Sequence, residues 1–399
     1  MSVAGRDLSW NRNANPYLAK VDLIRSGDQN GYGMVARLAF HGDLDVFAIA
    51  LPHQFPTRTG PTWVYLLDCE GWTLIDAGPK GALPVLVDGM KLLGMKVNDI
   101  ERVIISHGHQ DHDGNIYDLA EASGATIWAH ELYFHFKPYE SSRLGLDVNS
   151  PLHRFMLQLI AKDDPSVRNN NDRYPVRHNN VADETGGMKS IGEIFPTHNI
   201  KDQDTLGAMT FLYTPGHSID ELCIDLSGFI LTGDHILPHI TPHPTVKKTY
   251  PEILYDQVAT EYKNSAHHYG LACYMQSLGR VLRLDQRKTV LPAHRLFNHD
   301  RLNIRNLLRA KEIIVHHGRR LDRAIDVIRD GADTPLKIAR ELFPARKLVG
   351  GGLFAALSEV VSHLELLDDL GDIEVGDNGE LAHSGGWRYR DFISEVLRT

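Results

Sequence analysis

Three histidines and two aspartates lie within nine residues, in the segment SHGHQDHDG at 106–114. The segment follows IERVIIS, a β-branched run that predicts a buried strand. Imidazole and carboxylate groups at the end of a strand are suitable ligands for zinc and for other borderline divalent metals. A solvated, histidine-rich loop is the alternative interpretation. If the segment is half of a metal site, the remaining ligands must come from elsewhere in the chain.

The spacing H-x-H-x-D-H suggests more than one ion. In a tight loop after the strand, His107 and His109 project in one direction, and Asp111 and His112 project toward a neighbouring point. Four potential ligands so close together could serve two ions rather than one.

Three later residues repeat the same placement. His217 in YTPGHSID, Asp234 in ILTGDHILP and His294 in TVLPAHR each follow a predicted strand and a Pro or Gly turn. A satisfied structural polar residue is the alternative for each of them, but a shared sheet edge would produce this repetition. Seven ligands suit two ions, with His107, His109 and His217 at one, Asp111, His112 and His294 at the other, and Asp234 between them. Such a pair could hold a hydroxide and polarise a carbonyl or phosphoryl oxygen.

The hydrophobic pattern predicts an α+β domain followed by a small module. Strands are expected through 32–76, followed by a helix over 81–95, and by strand, helix and strand from 100 to 131. Residues 137–190 are rich in Asn, Asp, Pro and Arg, which favours either a lid-like insertion or a disordered surface loop. Further strands are expected at 209–214, 222–226, 228–232 and 288–294. Two helices and a hairpin after residue 330 suggest a winged-helix-like domain, so we divide the chain into 1–320 and 321–399.

Taken together, the motif H-x-H-x-D-H, the PGH turn, the Asp of TGD and the late His resemble the metallo-β-lactamase superfamily. The resemblance covers roughly residues 30–300. It implies an αββα sandwich with a dinuclear site at one edge of two packed sheets, and it places the metal ligands on the seven residues above. Asp76 in LIDAG would not bind metal itself but would hold these ligands in place. The alternative is that it only forms a turn. His235, His239 and His243 would orient substrate or protonate a leaving group, unless they belong to a wet loop or an interface.

A narrower resemblance concerns the substrate. GDHILPHITPHP, PAHR and the C-terminal module resemble the lactamase-like protein 2 branch, which includes thioesterases, general hydrolases and single-strand endoribonucleases. The best-known β-lactamases have a cysteine where Asp234 stands, so penicillin hydrolysis is not favoured. The long insertion and the extended N-terminus depart from the branch pattern and leave the substrate open.

We therefore expect a dinuclear-metal-dependent hydrolase in which a metal-bridging hydroxide attacks an ester-like acyl bond of a thioester or a lactone. Asp111 would orient the hydroxide, and an apolar lid from FMLQLI would suit an acyl chain. Zinc is the expected metal, although the same ligands accept iron or manganese. The alternative is a metal-dependent phosphodiesterase or endoribonuclease, and a metal-bound scaffold without turnover is a third.

Charge and composition favour a small-molecule acyl substrate over nucleic acid or a membrane. The formal net charge is −9, and residues 321–399 carry 9 Lys and Arg against 15 Asp and Glu, which is the wrong sign for phosphate recognition. We interpret this module as an interaction or dimerisation surface, so a homo-oligomer is possible. Three cysteines without paired spacing, no secretory signal and no membrane-spanning run predict a cytoplasmic protein.

Overall fold

Two β-sheets pack face to face in the structure, a computed structural model. It describes residues 6–42, 44–55, 57–137, 146–147, 149–163, 181–182, 188–189, 191–250, 252–349 and 351–398. No helix within these ranges is both long enough and apolar enough to cross a membrane.

The first sheet has eight strands in the order β1-β2-β3-β4-β5-β6-β7-β10. Its strands are β1 Leu18–Ser26, β2 Met34–Phe40, β3 Leu44–Leu51, β4 Thr62–Asp68, β5 Trp72–Ile75, β6 Arg102–Ile104, β7 Thr126–His130 and β10 Thr197–Ile200. The first five strands run antiparallel, whereas β5, β6, β7 and β10 run parallel. The carboxyl ends of β5 and β6 therefore lie at one edge of the sheet.

The second sheet has six strands in the order β11-β12-β13-β14-β15-β18. They are β11 Thr205–Leu206, β12 Met209–Tyr213, β13 Leu222–Asp225, β14 Phe229–Leu231, β15 Thr289–Leu291 and β18 Arg305–Asn306. Strands β14 and β15 run parallel, so the residues after them also share one edge. Three two-stranded pairs complete the strands: β8 Val181–Ala182 with β9 Met188–Lys189, β16 Phe297–Asn298 with β17 Arg301–Leu302, and β19 Ile373–Val375 with β20 Leu381–His383.

Helices cover both outer faces of the sheets. They are α1 Leu83–Leu92, α2 Gln110–Asp113, α3 Ile116–Ser123, α4 Glu131–Phe136, α5 Pro151–Asp163, α6 Ile191–Ile194, α7 Glu252–Tyr255, α8 Gly270–Val281, α9 Leu308–Arg329, α10 Pro335–Leu342, α11 Gly351–Asp369 and α12 Arg388–Arg398.

Three apolar layers hold the sandwich together. Leu38, Trp63 and Phe211 belong to the layer between the sheets. A second layer joins the outer face of the first sheet to α1 and α3. The third joins the second sheet to α8, α9, α10 and α11. Because burial of apolar area is the main stabilising term, these layers fix the sheets relative to each other and confirm the predicted αββα architecture.

The C-terminal residues form helices, a hairpin and a last helix. The helices expected after Thr334 are α10 and α11, and the expected hairpin is β19–β20; α12 was not predicted, and neither was β1. The name winged helix stays a prediction. The predicted domain boundary between residues 320 and 321 also stays a prediction; it falls within α9.

Most of the predicted 137–190 insertion lies outside the described residues. Its helix α5 is described, and its Leu152 and Met156 pack in the same apolar layer as α11. His153 Nε2 lies 2.6 Å from Glu365 Oε1 of α11. This part of FMLQLI therefore packs on the C-terminal helices, and its role as a lid over an acyl chain stays a prediction.

Candidate metal centre

The seven predicted ligands come from strand ends of both sheets. His107, His109, Asp111 and His112 follow β6, and the last two lie in the short helix α2. In the second sheet, His217 follows β12, Asp234 follows β14 and His294 follows β15. The two sheet edges meet here, so residues separated by nearly two hundred positions converge on one place.

The first group consists of three histidines. His107, His109 and His217 each contribute one ring nitrogen to a group of three atoms that lie within 4.8 Å of one another. His107 Nε2 lies 2.9 Å from His109 Nδ1, and the His109 and His217 rings meet edge to face with centroids 4.8 Å apart. Three imidazole nitrogens at this spacing match one half of the predicted division.

The second group combines histidines with a carboxylate. Asp111 Oδ2 lies 3.2 Å from His294 Nε2, and Asp111 Oδ1 lies 3.8 Å from His112 Nε2. These are the three residues of the other predicted half. The Asp111 side chain is 30% exposed, whereas those of His112 and His294 are almost fully covered. Asp111 is thus the member of this group that is open to solvent.

Asp234 lies between the two groups. Its Oδ2 is 3.6 Å from His217 Nε2, and its Oδ1 is 3.7 Å from His112 Nε2 and 3.5 Å from His294 Nε2. One carboxylate oxygen therefore faces each group. This is the position that a carboxylate shared by two cations requires.

Unpartnered polar atoms test whether the residues fit metal ions. His112 Nε2, His217 Nε2, His294 Nε2 and Asp234 Oδ1 are buried and have no hydrogen-bond partner among the described residues. Leaving a buried polar group unpaired costs about 1–3 kcal/mol, so four such atoms aimed at one point call for a ligand. Imidazole and carboxylate donors suit divalent cations, so the residues present fit divalent metal ions.

The tautomers of His217 and His294 also suit metal binding. His217 Nδ1 donates to the carbonyl oxygen of His243 at 2.8 Å, and His294 Nδ1 donates to that of Pro61 at 3.1 Å. A carbonyl can only accept, so in both rings Nδ1 carries the proton and the neutral Nε2 offers its electron pair to the centre.

Asp76 supports the loop that bears the cluster. Its Oδ2 accepts from His112 Nδ1 at 2.8 Å and from Ser106 Oγ at 2.9 Å, while its Oδ1 accepts from the Ser106 amide at 2.7 Å. Asp76 has a φ of +64°, a left-handed conformation that is unfavourable for a residue with a side chain. The tertiary structure holds it there with its carboxylate against His112, which is the arrangement that orients a metal-ligating histidine.

A glycine makes the PGH turn possible. Gly216 has a φ of +129°, and a Cβ at this position would lie 2.3 Å from the Cα of Tyr274 in α8. Only glycine therefore lets the chain pass α8 closely enough to deliver His217 to the centre.

The pKa values of the histidines of the centre shift in two directions. Burial lowers the pKa of His109 and of His217 to about 4, and it lowers the pKa of His107 as well. Burial also acts on His112 and His294, but the neighbouring carboxylates of Asp111 and Asp234 outweigh it and raise both pKa values. The Asp234 carboxyl loses solvation on burial, yet the surrounding histidines hold its pKa below the usual value.

Sequence reasoning missed two residues of the centre. His53, two residues after β3, groups with Asp111 and His294, and its ring stacks on His294 with centroids 6.0 Å apart. Glu221 is fully buried, accepts from the Asp234 amide at 3.1 Å and places Oε2 3.4 Å from His107 Nδ1. The signal for His53 was its place after Pro52 at a strand end; for Glu221 it was a charged residue beside the apolar strand β13.

The three histidines after Asp234 have different surroundings. His235 is fully buried against Tyr274, with ring centroids 5.3 Å apart. His239 Nε2 lies 3.0 Å from Asn303 Oδ1, and His243 Nε2 lies 3.6 Å from Glu359 Oε2. His239 and His243 line a cavity beside the centre, whereas His235 is not among its lining residues. Their predicted roles toward substrate stay predictions.

A family model described as the metallo-beta-lactamase superfamily matches residues 57–294, which is more than half of the chain. The chain belongs to the metallo-beta-lactamase superfamily. Among relatives of this superfamily member, the probable metallo-hydrolase YqjP of Bacillus subtilis (strain 168) is 27% identical over 336 residues, covering 81% of this chain and 92% of the relative.

Solved structures support the same fold for this superfamily member. A beta-lactamase domain protein from Burkholderia ambifaria aligns with a TM-score of 0.59 at 20% identity, over 91% of this chain and 98% of its own. A metallo-beta-lactamase family protein from Thermus thermophilus aligns with a TM-score of 0.56 at 19% identity, over 85% of this chain and 98% of its own. At this identity the likeness concerns the fold alone.

Membership in the superfamily confirms two general predictions from the sequence. One is metal-dependent hydrolysis, and the other is the binding of divalent metal ions. The identity of the metal, and the choice between thioesters, lactones and phosphodiesters, are finer questions that the fold does not answer.

Proposed function

We propose that the protein hydrolyses an ester-like acyl bond, of a thioester or a lactone, with two divalent ions held by the seven residues of the centre. The observation that carries the proposal is the position of Asp234, whose two oxygens each face one group of ligands at 3.5–3.7 Å. Zinc is the proposed metal, because three imidazoles on one side and imidazole with carboxylate on the other are common zinc ligands.

When bound, a pair of divalent ions lowers the pKa of a water molecule to near neutrality and polarises the oxygen of a carbonyl. In this division, His107, His109 and His217 would hold one ion, Asp111, His112 and His294 would hold the other, and the Asp234 carboxylate would face both. Glu221 and Asp76 orient His107 and His112 from behind through Nδ1.

We assign Asp111 a direct part in orienting the attacking water. Its side chain is more exposed than that of Asp234, 30% against 12%. Burial favours the protonated form of Asp111, but the neighbouring His112 and His294 hold its pKa below the usual value, so its carboxylate is ionised and can accept a hydrogen bond from that water. A thiolate needs little protonation to leave, so a thioester requires no strong acid from the protein.

A substrate panel tests this proposal. The protein would be stripped with a chelator, reloaded with zinc, manganese or iron(II), and assayed on an acyl thioester, a lactone, bis-p-nitrophenyl phosphate and a cephalosporin. We expect turnover of the thioester or the lactone that disappears on stripping and returns on reloading. Faster hydrolysis of the phosphodiester would instead support the alternative phosphodiesterase, and turnover that survives stripping would contradict metal dependence.

A further inference from the structure

A cavity of about 560 Å³ is lined by His243 and by other residues of segments that contact metal ligands, although none of the seven ligands is among its lining residues. One wall is the loop that follows Asp234, from His239 to His243, and the others come from α9, from α11 and from the segment between α10 and α11. The sequence prediction made the C-terminal module an interaction or dimerisation surface. In the structure its helices form part of this cavity.

The cavity is built on the segments that hold metal ligands. On one side, His243 lines the cavity and its carbonyl oxygen accepts from His217 Nδ1. On the other side, Arg58 lines the cavity, and its carbonyl oxygen accepts a hydrogen bond from Arg295, the residue after His294. Three residues further along the chain, the carbonyl oxygen of Pro61 accepts a hydrogen bond from His294 Nδ1. A molecule in the cavity therefore lies against the backbone that positions both groups of ligands.

The cavity lining is cationic, although the chain as a whole is acidic. Its charged residues are Arg58, Arg309, Arg320, Lys347 and a single carboxylate, Glu359. The formal charge of the lining is thus positive, while the chain carries −9. Positive side chains gathered in a concave, partly dehydrated place attract anions far more than the same charges spread over the surface.

Two of these cations have no side-chain partner among the described residues. Arg309 donates to the carbonyls of Leu237 and Ile240, and Arg320 pairs with Glu359. The Arg58 guanidinium and the Lys347 ammonium, in contrast, have no hydrogen bond or ion pair among the described residues. They are free to meet a ligand.

His316 adds a polar atom without a partner. It lines the cavity, and its buried Nε2 has no hydrogen-bond partner within the described part of the chain. Burial and then the neighbouring arginines, Arg320 first, lower its pKa to about 4. The arginines around His316 make this a strongly positive environment, which an anion would relieve.

Part of the remaining lining is apolar. Phe343, Ala355 and Ala356 line the cavity, and the Arg320 guanidinium lies 5.0 Å from the centre of the Phe343 ring. A carbon chain can pack there while a charged end reaches Lys347 or Arg58.

We infer that this cavity binds the anionic part of the substrate, a carboxylate or a phosphate separated by a carbon chain from the acyl bond that is cleaved. The inference rests on the proposed function and deepens it by specifying the substrate class. The reaction stays a simple hydrolysis: water adds to the acyl carbon, the C–S or C–O bond breaks, and a carboxylate and a thiol or alcohol leave.

Three thioesters would separate the two sources of negative charge. S-acetyl-N-acetylcysteamine is neutral, S-glutaryl-N-acetylcysteamine carries a carboxylate on the acyl group, and S-acetyl-4′-phosphopantetheine carries a phosphate on the thiol. We expect kcat/KM for one anionic substrate to exceed that of the neutral one by about tenfold or more, and this advantage to fall as salt rises from about 0.05 to 0.5 M.

Variants of the two free cations test the cavity itself. Lys347→Gln and Arg58→Gln are each expected to reduce the anionic-to-neutral ratio of kcat/KM by about 3–10-fold, mainly through KM. Lys311→Gln is the matched control, because Lys311 is an exposed lysine of α9 that does not line the cavity. A neutral thioester that performs as well as both anionic ones, or variants that match the control, would overturn the inference.

Binding without turnover separates this inference from the proposed function. Calorimetric titration of the metal-stripped protein with glutarate and with 4′-phosphopantetheine reports on the cavity even if no thioester is hydrolysed. Binding that is weakened in Lys347→Gln but not in Lys311→Gln would support the anion site while the acyl hydrolysis proposal fails. Absence of binding to the wild-type protein would overturn the anion site.

Discussion

Two of the histidine clusters among the described residues have different partners. The metal centre combines its imidazoles with the carboxylates of Asp111 and Asp234. The second cluster joins His316 and His317 of α9 to His363 of α11. His317 Nδ1 lies 3.1 Å from His363 Nε2. Arg320 is the charged side chain that most affects the pKa of His363. Within the described residues, the groups with metal-ligand spacing all lie at the first cluster.

The difference shows what turns a histidine cluster into a cation site. Carboxylates at the centre raise the pKa of His112 against the effect of burial, which reflects a negative environment that a metal cation would also find favourable. At the second cluster, burial and then neighbouring histidines and Arg320 lower the pKa values of His317 and His363. These neutral rings pack the two helices together beside the Arg320 guanidinium, which is a less favourable place for a metal cation than the carboxylates of the first cluster.

The largest effect is expected for Asp234→Asn. An amide loses the charge that faces both groups, so bound metal should fall from two equivalents to one or fewer and kcat/KM should fall by roughly 10³-fold or more. Metal analysis after gel filtration and an activity assay would measure both quantities. Asp225→Asn, at an aspartate that pairs with Lys288 away from the centre, is the control. Full activity and two equivalents of bound metal in Asp234→Asn would show that metal binding at the centre does not need this carboxylate. The proposed difference between the two clusters would then be wrong.

A smaller effect is expected for Asp76→Asn. The amide can still accept from Ser106, but it orients His112 without a charge, so metal affinity should weaken roughly 10–100-fold. Competition with a fluorescent chelator would measure the affinity. An unchanged dissociation constant would mean that Asp76 only shapes the turn, the alternative that its sequence context left open.

His317→Leu probes the second cluster. It leaves the His363 ring nitrogen without its partner in a buried place, so the free energy of unfolding should fall by about 1–3 kcal/mol. Metal content should stay at the wild-type value, in contrast to the two aspartate variants. Denaturant unfolding and metal analysis would be run on the same preparations. Loss of metal in this variant would show that the second cluster also takes part in cation binding.

The smallest effect concerns the dependence of stability on pH. The lowered pKa values of His317 and His363 mean that below about pH 6.5 the unfolded chain binds protons that the folded chain does not. Stability from these groups is therefore complete above about pH 6.5 and declines as the pH falls, by up to about 1.4 kcal/mol per pH unit for each. His317→Leu should flatten this slope between about pH 6.5 and 5.5 in the metal-stripped protein. A slope identical to that of the wild type would show that other groups carry it.

Much of the fold could be predicted from local pattern. The runs MVARLAF and TWVYLLD coincide with β2 and β4, and the helical spacing near LPVLVDGMKLL coincides with α1. These elements are dictated by short-range periodicity and turn residues, which a sequence displays directly. Strand β1 was missed because LAKVDLIRS has neither a continuous apolar run nor a regular alternation, and it lies at a sheet edge, where burial is partial.

The sequence by itself determined the residue types of the candidate ligands and their positions at strand ends, because the motif and the turns that carry it are local. Only the tertiary structure decided which oxygen of Asp234 faces which histidines, that His53 and Glu221 belong to the centre, and that Arg58 and Lys347 face one cavity. The net charge of residues 321–399 had argued against nucleic acid as a partner. Net charge is a sum over residues, however, whereas an electric field depends on where the charges lie. Folding gathers cations from distant segments beside the centre, and no count along the chain reveals that arrangement.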